Sequence, residues 1–509
     1  MGILPENEDL TSPAFERLGQ FVRQQRQQWT TQVTAPNFEV FERELHEHMM
    51  ALERELIAEE LARYDVEAEV VEVEGTVYRY ALTSSETYLS TAGPVSIERH
   101  LYRPAGRSSK SICPLELRAG LIGGLFTPRA ARQGAFAVAH LTPREAAELF
   151  EEMGGMKPSA SSLDRLPKEL SRHWEAQREA WEAALRLRET VPATATVLSI
   201  SLDGVMAPMK EAGRVQKRSQ PDKQASGPAG YREVGCGTLS LYDAEGQRLT
   251  TLRYGRMPET KKTSLCAQLQ AEAQSILALR PDLTIVKLAD GAKENWRFLD
   301  HLDLGLPPNP PGQIGPLVAI VDFCHAADHL KKACDAIWPD DPVKSKAKFV
   351  CLRTLLKEKE GGVDLVIRSL KHHFSRARGN RRTRIESELT YFRNQQPRMQ
   401  YAHYLMQGWP IASGVVEAAC KTLVTQRMKR SGMAWGQDGG QAILTLRSLI
   451  QSNRWEPAWT LLSSDFCKLV KVVETRHDPL SSVQEILALP EARSDSRNIR
   501  SYHSLPLAV

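Results

Sequence analysis

Between residues 196 and 322 the chain carries a series of short apolar runs separated by turn signals and helix-like stretches, and nothing else in it constrains the fold so tightly. TVLSISLDG reads as a strand, and VGCGTLSLYDAEGQRLTTLRYGRM reads as a hairpin turning at Asp243-Ala244-Glu245-Gly246. KKTSLCAQLQAEAQSILALR has the apolar spacing of an amphipathic helix; TIVKLADG and GPLVAIVDF read as a fourth and a fifth strand. Short β-branched runs bounded by Gly, Asp and Pro favour strands, and longer stretches with a 3.6-residue period favour helices. The order is therefore β-β-β-α-β-α-β, which predicts an α/β fold with a mixed five-stranded sheet.

In the ribonuclease-H-like version of that order the first and fourth strands lie side by side. Asp203 ends the first apolar run and Asp290 ends the fourth, so the order brings two carboxylates together at neighbouring strand ends. A third acid, Glu417, lies on the helical stretch SGVVEAACKTLVTQRMKR, at the edge of an otherwise apolar face. Hard divalent cations take oxygen ligands, and rigid carboxylates that clamp an attacking and a leaving oxygen suit phosphodiester chemistry. Taken singly, Asp203-Gly204 and Asp290-Gly291 also read as strand-to-turn punctuation.

The rest of the chain divides around this core. Residues 1–64 are helical, with Phe41, Leu45, Met49, Leu52, Leu56 and Leu61 at helical spacing, and suggest a helical hairpin or dimerisation element. Residues 65–127 form a small β unit, two strand-like runs around AGP. In 128–190, LTPREAAELFEEMGG is a short helix with Thr142 as N-cap, Pro143 first and Glu145 three residues after the cap, and KPSASSLDRL begins a second from Ser159. The pair fits a helix-turn-helix, with 159–166 as the helix for a DNA groove and Ser159, Ser161, Ser162 and Arg165 facing it; Pro167 is expected to separate it from the linker helix that follows. The core occupies 191–335 and 406–455, an all-α insertion 336–405, and a C-terminal helical extension and tail 456–509.

Net charge is only +4, but its distribution is uneven. Residues 38–75 are strongly acidic, whereas RSLKHHFSRARGNRRTR has no acid, so Arg376, Arg378, Arg381 and Arg382 suit a phosphate backbone as well as a solvated helix face. Lys421, Arg427, Lys429 and Arg430 extend that basic character beyond Glu417, and Trp435 suits either a stacked base or the core. The longest apolar runs, such as LVAIVDF, fall well short of the roughly 20 residues a membrane helix needs, and the acidic N-terminus does not look like a signal, so no membrane partner and a cytoplasmic location are expected. Eight single cysteines without C-x-x-C spacing are expected to be mostly reduced and buried.

SLDGV, LADGAKENW, VDFCHAADHL and SGVVEAACKTLVTQRMKRSGMAW, in that order, resemble the DDE transposases of bacterial insertion sequences of the ISKra type, related to the Mutator-like group, over about 95–455. The resemblance implies that Asp203, Asp290 and Glu417 are the catalytic triad and hold two Mg²⁺ or Mn²⁺ ions. It also implies a helical insertion before the glutamate and an N-terminal DNA-binding region. The partners it implies are transposon-end DNA with terminal inverted repeats, target DNA, and further copies of the chain in a homodimer or higher homo-oligomer, in the nucleoid-associated cytoplasm of a bacterium. Asp322 and His325 stand as the family's D-x-x-H signature, His325 with a role near the scissile phosphate and Asp322 orienting it or helping to shape the site, although Cys324 replaces the usual aromatic. Only Cys113 stands where relatives often carry a cysteine pair, so no zinc is expected. A DNA-binding protein with an inert core, and a nuclease without strand transfer, are the alternatives.

Overall fold

The computed structural model describes residues 13–27, 35–104, 110–210, 230–305 and 315–475. Its strands are β1 (Ala68–Val73), β2 (Thr76–Ser90), β3 (Gly93–Pro104), β4 (Val197–Pro208), β5 (Tyr231–Tyr242), β6 (Arg248–Arg256), β7 (Thr284–Ala289), β8 (Leu317–Val321) and β9 (Val470–Thr475). The chain forms two compact units: Arg178–Trp455, and the flanking residues up to Gln177 together with those from Glu456. No helix among the described residues is long and apolar enough to cross a membrane. The expectations for the tail beyond residue 475 lie outside the described residues.

In the unit Arg178–Trp455 the sheet order is β6-β5-β4-β7-β8, mixed α/β as the sequence predicts. β6, β5 and β4 pair antiparallel, and β4–β7 and β7–β8 pair parallel. The helix Thr263–Leu279 covers one face, and β5 admits it closely because Gly235 and Gly237 carry no side chain. A Cβ there would meet Leu265 at 2.9 Å and Leu269 at 2.6 Å. The other face at the β4–β5 end is covered by 414–428, with Val416, Ala419, Leu423, Val424 and Met428 buried against Ala207, Val234 and Cys236.

The expected insertion is helical, with Pro342–Glu358, Gly362–Arg376, Gly379–Gln395 and Tyr401–Met406 in succession. It is not separately cored: Leu352, Val366, Leu370, Leu389 and Phe392 belong to the same buried cluster as Ile200, Ile285 and Leu330. Burial of large apolar side chains contributes roughly 1.5–3 kcal/mol each, so this shared core ties the helices to the sheet edge.

In the flanking unit, Pro13–Gln27 and Ala35–Ala62 form the expected hairpin, with Phe21 stacked on Phe41 and Arg17 bonded to Glu55. The β unit differs from the sequence reading. Three strands come from 68–104, and β9 adds to the edge of β1 to complete a sheet ordered β3-β2-β1-β9. The segment assigned as a helical extension thus supplies a helix, Trp455–Asp465, and then a strand. Its five outermost residues are exposed, so no alternation announces it in the sequence.

The Thr142 capping box forms as expected: the Glu145 amide donates to the Thr142 hydroxyl, and the Thr142 amide donates to the Glu145 carboxylate at 2.8 Å. Pro167 does not divide two helices; Ala160–Arg186 is continuous through it. An internal proline costs about 3 kcal/mol. Leu163, Leu166, Leu170 and Trp174 are all buried on one stripe of that helix, and together they outweigh the local cost.

Candidate functional site

The acidic site is built by strand register. The last recorded β4–β7 pair is Ser201 with Leu288, and two residues further along each strand direction lie Asp203 and Asp290. Asp203 does not end its strand, contrary to the sequence reading, because β4 continues to Pro208 alongside β5. It is paired across the strands with Cys236, so the two side chains share a face. The Asp203 Oδ1 accepts from the Gly204 amide at 2.7 Å, and Oδ2 accepts from the Cys420 thiol at 3.7 Å. Burial, and after it the negative charge of Asp290, hold the Asp203 carboxyl above the usual carboxylate range, although the Gly204 amide, Cys420 and Lys262 pull the other way. A buried acid beside a second acid is an environment that a bound cation relieves.

Asp290 is fixed more firmly. Its Oδ1 accepts from the Ala292 amide and from Asn295 Nδ2, both at 3.1 Å, and its carbonyl accepts from the Trp296 indole at 2.6 Å. Arg398 lies 3.8 Å over the Trp296 ring and pairs with Asp300 through both carboxylate oxygens. Lys262 donates to Asn295 at 3.1 Å and pairs with Glu233 at 2.8 Å, placing a fixed cation beside the acids. Lys261 and Lys262 both have left-handed backbone, φ 55° and 53°. Such strain in non-glycine residues is held in place only by surrounding structure. They line a cleft of about 190 Å³ together with Arg232, Glu233, Arg256 and Glu294.

Glu417 lies on the helix Gly414–Ala419, which continues through a π-helical segment, Cys420–Thr425, into Gln426–Met428. The wider π turn leaves carbonyls in need of donors, and buried Arg447 supplies them. Its Nε donates to the carbonyls of Thr422 and Leu423 at 3.1 and 3.0 Å, Nη2 donates to Thr422 as well, and Gln451 adds a bond at 3.3 Å. π segments inside α-helices are frequent at functional sites. Here the segment begins at Cys420, the residue that reaches Asp203 from the glutamate's own helix. A hydrogen bond with Cys236, and burial, push the Cys420 thiol up, so it remains a protonated donor.

Glu417 is exposed, and its Oε1 accepts from the Ser413 hydroxyl at 2.8 Å. It stands with the D-x-x-H pair: ligand atoms of Asp322, His325 and Glu417 lie within 4.8 Å of one another, the one such group of three or more among the described residues. Asp203 and Asp290 are outside that group. Asp322 is fully buried at the N-terminus of Phe323–Ile337, where Oδ1 accepts from the His325 amide at 2.6 Å and Oδ2 accepts from the Ser413 amide. Asp322 thus ties the end of β8 to the residue that begins the Glu417 helix. It orients the backbone of His325 rather than its ring.

The residues assigned to DNA fall into two groups. Ser161, Arg165, Arg376, Arg378, Arg381, Arg382, Lys421, Lys429 and Arg430 are exposed. Of these, Arg381 donates to the Ile337 carbonyl and Arg382 lies over Phe374, so both are partly committed to packing. Ser159 is the cap expected, accepting from the Ser162 amide at 3.1 Å. Ser162 is itself buried, at 4% exposure, because it faces inward on the first turn, and Arg427, at 2%, is buried with its guanidinium 5.1 Å over Trp435. Neither buried side chain faces a surface that a phosphate or a base edge reaches. Trp435 is half-buried and packs against the core that Met428 belongs to: its indole donates to the Met428 carbonyl at 2.9 Å and its backbone pairs with 208–210. All eight cysteines are free thiols, four buried, one half-buried, and Cys324, Cys351 and Cys467 exposed.

Sequence reasoning did not find Cys420, Lys262 or Asn295. Cys420 carried a signal, since it lies one helical turn beyond Glu417 on an apolar face; Lys262 carried none. No family model and no curated protein matches the chain. Among solved structures, the Drosophila P element transposase strand transfer complex aligns with 74% of this chain and 89% of that chain at 11% identity and a TM-score of 0.23, and at that score the likeness carries no argument about this molecule.

Proposed function

We propose that the chain is a DDE transposase that binds the terminal inverted repeats of an insertion sequence and carries out metal-dependent DNA strand cleavage and strand transfer. The observation that carries this reading is the register of β4 and β7, which sets Asp203 beside Asp290 and under the helix that bears Glu417. The donor chemistry fits divalent cations. Asp203 and Asp290 would hold one ion, and Asp322, His325 and Glu417 would hold a second; the imidazole among them suits Mn²⁺ better than Mg²⁺. Bound ions of this kind activate an attacking oxygen and stabilise a leaving one in phosphodiester displacement. The chain's own part is to hold the carboxylates rigid, to keep Lys262 beside them as a fixed charge, and to tie the Glu417 helix to the sheet through Cys420 and Asp322. Exposed arginines of the insertion and the Lys421–Arg430 surface suit the phosphate backbones of element-end and target DNA, with a second copy of the chain at the other end.

Incubation of the protein with labelled element-end DNA, a target plasmid and Mg²⁺ or Mn²⁺ tests the proposal. Joined products are expected, and they should disappear in Asp203→Asn, Asp290→Asn and Glu417→Gln while end binding survives. Binding without cutting would point to an inert core, and cutting without joining to a nuclease. Full strand transfer by any of the three variants would overturn the triad.

A further inference from the structure

Tyr391 lies in the middle of Gly379–Gln395, in the insertion and a hundred residues from Asp290, yet its ring reaches the strand end that carries that acid. A Cβ at Gly291 would lie 2.5 Å from Tyr391 Cε2 and 3.4 Å from its hydroxyl. Gly291 is not in the left-handed region, so the glycine answers to this close approach rather than to a turn. The ring is clamped. It stacks on His329 with centroids 3.6 Å apart and 15° between planes, His329 Nδ1 lies 2.7 Å from Glu388 Oε2, and Phe392 meets the ring edge-on. Held this way, the hydroxyl is buried and has no hydrogen-bond partner among the described residues.

An unpaired buried hydroxyl costs about 1–3 kcal/mol, and in native proteins such groups call for an explanation. Burial, and then the charges of Asp290, Asp322 and Glu388, push the phenol well above its ordinary value, so it stays a donor. The groups around it are acceptors: two carboxylates that border the site and a third on its own helix. Carboxylates that hold a metal are in turn held by hydrogen bonds from neighbouring groups, and loss of such a partner typically weakens metal binding by about 10–100-fold.

We infer that Tyr391 is a positioning residue of the acidic site, its hydroxyl serving as a hydrogen-bond donor to the Asp290 carboxylate when that group holds a divalent cation. The inference rests on the proposed reading of Asp290 as a metal-holding acid. It assigns the insertion a part in assembling the site, in addition to any contact its basic surface makes.

Tyr391→Phe in the full chain is the test, since it keeps the stacked ring and removes only the hydroxyl. With EDTA present, its thermal midpoint should equal or exceed that of the parent. Titrated with Mn²⁺ by calorimetry or by the free-ion paramagnetic resonance signal, it should bind about tenfold more weakly. A metal-free midpoint lowered by several degrees would show that the hydroxyl is already paired, and overturns the inference. So does unchanged Mn²⁺ affinity in Tyr391→Phe when Asp290→Asn weakens it. If the parent protein itself takes up no Mn²⁺, the metal reading of the site fails, and the inference with it.

Discussion

Replacing Asp322 by Asn changes one atom at a junction that the structure makes unusually sensitive. Both carboxylate oxygens accept from backbone amides, one from His325 and one from Ser413, and the side chain is fully buried. Asparagine keeps one acceptor and turns an NH₂ group toward the other amide. Whichever way it rotates, one backbone N–H loses its acceptor and the NH₂ stays unpaired. A buried unsatisfied donor costs about 1–3 kcal/mol, so Asp322→Asn should cost roughly 2–5 kcal/mol. Asp341 provides the control. It caps Pro342–Glu358 through the Lys344 amide at 2.9 Å from an exposed position, and asparagine caps as well as aspartate, so Asp341→Asn should cost well under about 1 kcal/mol. Because Ser413 precedes the Glu417 helix, the loss should concentrate there. Hydrogen exchange read on a peptide spanning 409–419 should accelerate on the order of a hundredfold for a 3 kcal/mol loss. Unchanged exchange in that peptide, with a urea midpoint equal to the control's, would refute the coupling of β8 to the Glu417 helix.

Asp203→Asn should stabilise the metal-free protein at neutral pH. The folded pKa of Asp203 is raised, so its stability contribution is full below the unfolded carboxylate value and is lost as pH rises through the folded one. The thermal midpoints of variant and parent should therefore draw apart from acid to neutral pH, and a constant gap would contradict the sign. Arg447→Met should cost about 1–3 kcal/mol by urea unfolding, because it removes the guanidinium bonds to the Thr422 and Leu423 carbonyls at the π segment and leaves Gln451 as the side-chain donor to Thr422; a change under about 0.5 kcal/mol would mean that other donors replace it. Glu272 is buried, which alone would raise its pKa, but Arg454, Tyr254 and Arg186 hold it below the usual carboxylate range. Glu272→Gln removes one of the two carboxylates on buried Arg454 and leaves Glu189 as the other, so about 1.5–3 kcal/mol of stability should be lost in the same unfolding assay.

Much of the site was legible because strand and helix signals are local. Alternation, turn residues and the Thr142 cap are written in consecutive residues, and the order of elements then implies which strands can be neighbours. Asp203 beside Asp290 followed from that order. The point at which β4 stops did not, because its extension to Pro208 depends on pairing with β5, whose partner residues lie some thirty positions away. Pro167 misled for a related reason. Its local cost is a property of the sequence, whereas the buried stripe that overrides it belongs to the packed unit.

The sequence by itself carried the α/β order and the helical character of 336–405, and it singled out the three acids, Asp322 and His325 as candidates. Only the tertiary structure decided which acids keep company: Glu417 with Asp322 and His325, Asp203 with Cys420, and Asp290 with Asn295 and the clamped ring of Tyr391. It also decided that Ser162 and Arg427 face inward and that Trp435 is held by the backbone. The physical reason is range. Propensity and periodicity act over a few residues, but burial and hydrogen-bond satisfaction are settled only once the elements have packed, often between side chains as distant in sequence as Asp203 and Cys420.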